Sequence, residues 1–183
     1  MNQRNKEDLP DLKAFLDEKV EKFNQSFFIE TDPIQIPKQF SIKENIELAG
    51  FLTATISWGK RPAIIKNATR LMDLMDFQPH DFVLNASKPE IDKLKSFVHR
   101  TFNGSDCIYF IHSLRNIYKN HRGLEAVFEK GYQHKNNIDS SLIHFYKIFF
   151  EIDGERTRKH ISNVEKGASA KRLNMFSQTI KVS

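Results

Sequence analysis

Residues 41–75 read SIKENIELAGFLTATISWGKRPAIIKNATRLMDLM, and their spacing decides the fold. Ser41 and Glu44 stand three apart before an apolar run. That is the spacing of a capping box, in which the Ser oxygen and the Glu carboxylate each accept a free backbone N–H. The helix so opened runs to about Trp58, puts Ile46, Ala49, Leu52 and Ile56 inside, and stops at Gly59. Pro62 suits the first turn of the next helix. There Ile64, Ile65, Ala68, Leu71, Met72 and Met75 form one continuous apolar stripe. Two such helices in succession must bury their stripes against other elements, and a helical bundle does this with short links.

The same pattern extends both ways. Upstream, Leu12, Phe15, Leu16 and Val20 predict an amphipathic helix over 10–24 with Pro10 in its opening turn. Asp32-Pro-Ile-Gln-Ile-Pro37 has two prolines in six residues and reads as an extended connector. Downstream, Ser87 and Glu90 make a second capping box, opening a helix with Ile91, Leu94 and Val98 inside. Asn103-Gly-Ser105 breaks the chain. Cys107, Ile111, Leu114 and Tyr118 line a fifth helix, and Leu124, Val127 and Phe128 start a sixth. Asp139 is placed to cap a seventh. Its Leu142, Ile143, Phe145, Tyr146, Phe149 and Phe150 cover so much circumference that it should be central. Gly154–Ala168 is polar and basic, and Leu173, Phe176 and Ile180 stripe a short last helix. No segment alternates as a strand between hairpin turns. The expectation is an all-α, compact multi-helix bundle: a helical body over 1–153, and a basic hairpin-like segment over 154–183 in the same domain.

With 183 residues, 39% hydrophobic and 16 Phe, the chain is too apolar and aromatic to be disordered. A single cysteine, Cys107, excludes an internal disulfide and cysteine-based zinc fingers; on its helix it belongs to the core. The seven histidines show no metal-ligand spacing, and no cofactor motif appears. No apolar run approaches the ~18 residues of a membrane span. The polar start Met1–Asp8 reads as neither signal nor transit peptide, so a cytoplasmic, reducing compartment is the default.

The net charge of +5 is unevenly spread. Residues 1–154 are neutral, with 21 bases and 21 acids. Residues 155–183 hold seven bases (Arg156, Arg158, Lys159, Lys166, Lys171, Arg172, Lys181) against two acids. Such a block is either a solvated basic end or a contact for a polyanion, most simply phosphate backbone. Trp58 stands at a helix end beside Gly59, Lys60 and Arg61. It suits stacking on a base with the cations on phosphate, or anchoring the core with the cations in solvent. His99 and Arg100 fall at a helix C-terminus, where cations complement the dipole. Lys166-Gly-Ala-Ser-Ala-Lys171-Arg172 places Gly167 just before a helix whose free N–H groups suit an anion. Cations at a helix start oppose the dipole, which makes sense if an anion binds there.

Asp32–Pro37, Ser57–Arg61, Leu71–Asp76, Phe97–Phe102, Gly123–Glu125 and Gly167–Phe176 occur in this order. Together they resemble the bacterial family called domain of unknown function 2400, over about residues 10–176. That family is in turn similar to the helix-hairpin-helix DNA glycosylases, particularly the archaeal 8-oxoguanine type. The resemblance implies duplex DNA as partner and a hairpin lysine, here Lys171, that attacks the sugar C1′ and forms a Schiff base with help from a later Asp. An amine nucleophile must shed its proton; Arg172 alongside and partial burial would act in that direction. Arg100, Arg156, Arg158, Lys159, Lys166, Gly167 and Arg172, with Trp58, Lys60 and Arg61, are the expected nucleic-acid-binding residues. The hairpin has one glycine, Gly167, where glycosylases show two. After Asn-Met-Phe176 the family continues with an apolar, Arg-containing helix and a Pro-Leu-Asp-Thr-His-like segment, whereas this chain reads Ser177–Ser183. The expectation is a C-terminally truncated member that binds DNA and lacks full catalysis. The alternatives are a non-enzymatic helical module for RNA or a protein partner, and a non-functional remnant.

Overall fold

In the computed structural model, which describes residues 9–23 and 26–180, the chain is predominantly helical. In chain order it forms α1 (Leu9–Phe23), α2 (Ser26–Thr31), α3 (Lys43–Thr55), α4 (Arg61–Asp73), α5 (Pro79–Asn85), α6 (Lys88–Lys93), a hairpin of β1 (Val98–His99) and β2 (Phe102–Asn103), α7 (Gly104–Asn120), α8 (Leu124–Lys135), α9 (Ile138–Phe149) and α10 (Lys171–Ile180). The Met1–Asp8 start, Lys181 and the Ile180 side chain lie outside what is described.

The axle of the bundle is α3, not α9. Every residue from Glu47 to Ile56 is buried. Phe51 at its centre meets Phe110, Phe145, Phe149 and Phe176 at ring-centroid distances of 5.4–5.8 Å. These edge and offset contacts add to the burial of each ring. In α9, Leu142, Phe145, Phe149 and the following Phe150 are buried, while Ile143 and Tyr146 are only half so. The expected α4 stripe is inside, with Ile65 at its edge, and α10 closes the core with Leu173 and Phe176.

Several local expectations need correction. Helix α3 begins at Lys43 with Ile42 in the cap position and no side-chain cap bond, so Ser41 and Glu44 miss the capping-box register by one residue. Ser87 and Glu90 do form theirs. Asp32–Pro37 is not extended: Pro33–Gln35 and Pro37–Gln39 are 3₁₀ turns, which the fixed proline φ suits, and the Asp32 carboxylate accepts the Ile34 N–H. Asn137, not Asp139, caps α9, accepting the Ser140 N–H at 2.9 Å. The apolar stripe of α1 stays about half exposed at Leu12, Phe15, Leu16 and Val20. The stretch expected to continue a helix through Val98 instead forms the two-residue hairpin strands, with Val98 exposed.

Buried polar groups occur on α3. The Glu47 carboxylate, 5% exposed, accepts the Tyr118 hydroxyl at 2.7 Å, with Lys43 Nζ at 3.9 Å. Burial pushes this carboxyl above its ordinary value, and the Tyr118 and Lys43 contacts pull back. A raised acid holds more protons folded than unfolded, so stability falls as pH rises from the ordinary glutamate value through the folded one. Glu47→Gln keeps an acceptor for Tyr118 and removes the buried charge. Its Tm should exceed that of the parent at pH 7, by about 2–4 °C for each kcal/mol gained at this length. The two proteins should melt together at about pH 3, below both values.

Candidate functional site

The hairpin turns at Arg100, a non-glycine residue at φ 54°. This turn lays the Arg100 guanidinium over Gly59, where a Cβ would lie 2.7 Å from Nε. Gly59 sits at φ 112°, a backbone conformation that favours glycine, while the Arg100 guanidinium over it belongs to a flexible side chain that can move aside. His99 and Arg100 are therefore on a hairpin, not at a helix C-terminus. The hairpin carries His99 against the neighbouring Trp58: its ring meets the indole edge-on at 5.1 Å and its Nε2 lies 3.2 Å from Trp58 O.

On its other side Trp58 stacks on His160 at 6.1 Å and 23°. The Arg172 guanidinium lies 4.8 Å from the indole centroid, within cation–π range. Arg172 Nη1 also donates to Thr55 O at 2.5 Å and Nη2 to His160 O at 3.4 Å. Thr55 ends α3, so Arg172 satisfies a terminal carbonyl at the negative end of that helix. Burial lowers the Arg172 pKa. Its place at the start of α10 is thus accounted for by the protein itself, and the anion invoked to explain it is not required. Trp58 is half-buried, packed against the core and ringed by His99, His160 and Arg172.

Beneath this lies Asp106, fully buried in the first turn of α7. It forms a capping box with Asn103: Asp106 Oδ2 accepts the Asn103 N–H at 3.1 Å, and Asn103 Oδ1 accepts the Asp106 N–H at 3.3 Å. Its Oδ1 accepts the Thr157 hydroxyl at 3.1 Å and lies 3.5 Å from Arg156 Nε. His160 Nε2 is 3.2 Å from Oδ2 but too far off line for a hydrogen bond. Burial drives the His160 pKa down, and Asp106 opposes it.

Trp58, Arg100 and Arg172 are thus brought together, and Arg156 joins them through Asp106 and His160. Arg158 lies elsewhere, over the Phe150 ring at 4.7 Å with Nη1 3.5 Å from the Tyr146 hydroxyl. Lys60 and Lys159 are exposed, and Arg61 lies 3.8 Å from Asp32. Around the last turn, Lys166, Gly167 and Lys171 are all exposed. Lys171 is solvated rather than partly buried. Gly167 takes φ 79° and a Cβ there would meet nothing within 4 Å. Asp106, Thr157 and His160 had no recognised role in the sequence. The three-residue spacing of Asn103 and Asp106 could have revealed the cap. Nothing local marks the contact to Thr157, which lies 51 residues away.

Among the described residues no group of three or more His, Cys, Asp or Glu is placed to hold a metal ion, and no helix is long and apolar enough to cross a membrane. No curated protein and no solved structure matches the chain. The model of the family described as Protein of unknown function (DUF2400) matches residues 32–178. The match takes in the Trp58 cluster, the buried Asp106 and the Gly167 turn, and the chain belongs to that family.

Proposed function

We propose that the chain binds duplex DNA through its phosphate backbone and is related to the helix-hairpin-helix DNA glycosylases of the 8-oxoguanine type. The observation that carries the reading is the turn before α10. A 3₁₀ turn (Val164–Lys166), a left-handed glycine and a new helix follow one another, with Lys166 and Lys171 exposed on either side. The first N–H groups of a helix have no acceptor within it, and a glycine clear of neighbours lets a phosphate approach the backbone. The charge excess of residues 155–183 acts in the same direction.

Deleting residues 155–183 cannot test this, because Ile161, Ala170, Leu173 and Phe176 belong to the core. Replacing both Lys166 and Lys171 by Gln spares the core. Binding of a paired duplex should weaken with rising salt, with a slope of roughly −0.9 per phosphate neutralised. The double variant should bind more weakly, its slope shallower by about two. An unchanged affinity and slope in the folded variant would overturn the assignment of this turn.

A further inference from the structure

We propose that the cleft where α3, α5 and α8 meet the end of α7 binds a short aliphatic diamine, with one ammonium on the Glu47 carboxylate. The cleft measures about 350 Å³, within the range of small-molecule sites. It shares no residue with the nucleic-acid surface above. Glu47 lies eight residues before Thr55, so the cleft is about 12 Å along α3 from the Arg172 contact.

Glu47 supplies the unmet demand. Its Oε2 accepts the Tyr118 hydroxyl at 2.7 Å. Its Oε1 accepts no hydrogen bond: Lys43 Nζ stays 3.9 Å away and is drawn to Glu125 instead. The Glu47 side chain is only 5% exposed, yet it lines the cleft, and its unpaired oxygen, unlike Thr53 Oγ1, is not closed off from the surface. A buried carboxylate short of donors gains most from a donor that is also a cation. Burial holds this carboxyl above its ordinary value, and an opposite charge within reach would offset that.

The rest of the lining selects the class of cation. Glu44, Glu47, Glu125 and Glu129 face Lys43 and Arg122 there, an excess of two carboxylates, and a diamine carries two positive charges. Among the described residues no three His, Cys, Asp or Glu converge as a metal ion requires. The ligand must therefore reach carboxylates that stand apart, as two ammonium groups on a carbon chain do. The His80 and Tyr118 rings, 5.1 Å apart, line the same cleft, and an ammonium is attracted to an aromatic face beside it. The chain as a whole carries +5, so its overall field repels a dication and binding must come from this local arrangement.

The test is calorimetric titration of the 183-residue chain at about pH 8 and about 0.15 M salt, where exposed pairs are screened. The probes are 1,4-diaminobutane and the uncharged 1,4-butanediol. The diamine should bind saturably, one per chain, and the diol should not bind. Glu47→Gln should weaken the diamine at least tenfold, because the amide oxygen turns to Tyr118 and an NH₂ then meets the ammonium. This variant should melt above the parent, so its lost binding is not lost fold. Glu129→Gln, at an exposed position, should weaken binding about two- to threefold. No saturable diamine binding, or equal binding of the diol, overturns the site. Undiminished binding in folded Glu47→Gln overturns the role of Glu47. Should that variant melt below the parent, Glu129→Gln decides, and an affinity unchanged there overturns the cleft.

Discussion

Replacing Asp106 with Ala should lower Tm by on the order of 10 °C, the largest loss expected from a change at one polar residue of this protein. The side chain is fully buried and is contacted by the Asn103 N–H, the Thr157 hydroxyl, His160 Nε2 and Arg156 Nε. Arg156 is 56% exposed, so its share is small. Removing the carboxylate leaves the buried Thr157 hydroxyl and the Asn103 N–H without their acceptor, and each such unsatisfied group costs about 1–3 kcal/mol. At about 2–4 °C per kcal/mol for a chain of this length, the shift follows. Asp106→Asn should lose less, since an amide oxygen still accepts from Thr157. The pH dependence adds a second readout. Burial lowers the His160 pKa below its unfolded value, so stability is lost as pH falls through about 6.5. Asp106 pulls that pKa back up, and without it the acid loss steepens. The Asp106→Ala deficit in Tm should therefore be larger at pH 5 than at pH 8. A variant melting with the parent would show that Asp106 does not tie α7 to the Glu155–His160 turn.

What the sequence made legible and what it hid divide along contact distance. The α4 stripe and the Ser87–Glu90 capping box depend on residues three or four apart, and both are where the spacing puts them. The centrality of α3 does not depend on spacing. Periodicity marks an apolar face but not what covers the remaining faces, so α9, with its wide apolar surface, looked more central than a helix carrying Glu47, Thr53 and Thr55. The same gap explains α1, whose stripe is as regular as that of α4 and yet half exposed. Strands of two residues are too short to alternate, so the hairpin that positions His99 and Arg100 was invisible. At the candidate site, Trp58 stood out as the sole Trp beside glycine and cations. Its partners did not, because Arg172 reaches Thr55 across 117 positions and His160 returns from beyond α9. Arg172 shows how a local rule misleads: a cation at one helix start looks misplaced until the end of another helix is found beside it.

Lys171→Gln should abolish borohydride trapping of the protein on abasic DNA, a complete loss rather than a graded one. An abasic sugar is part of the time an open aldehyde, so trapping does not require excision of a base. The Lys171 amine adds to C1′, water leaves, and an imine forms, which hydride from the borohydride reduces to a stable amine. Lys171 is exposed at the start of α10, so a sugar can reach it without rearrangement of the core. The amine is solvated in the free protein, and trapping should accordingly be weak. Excision is a different demand. As the base departs, charge develops on the sugar, and assistance from a positioned carboxylate is commonly worth ~10²–10⁴-fold. Asp106, the buried carboxylate nearest the cluster, is committed to Asn103 and Thr157. The 183-residue chain should therefore release no measurable 8-oxoguanine from an intact lesion duplex while still trapping on an abasic one. Trapping that survives undiminished in Lys171→Gln would remove this lysine from the reaction. Rapid release of 8-oxoguanine by the parent would mean that a carboxylate within residues 1–165 gives the assistance, and Asp106→Asn would then be the first variant to assay.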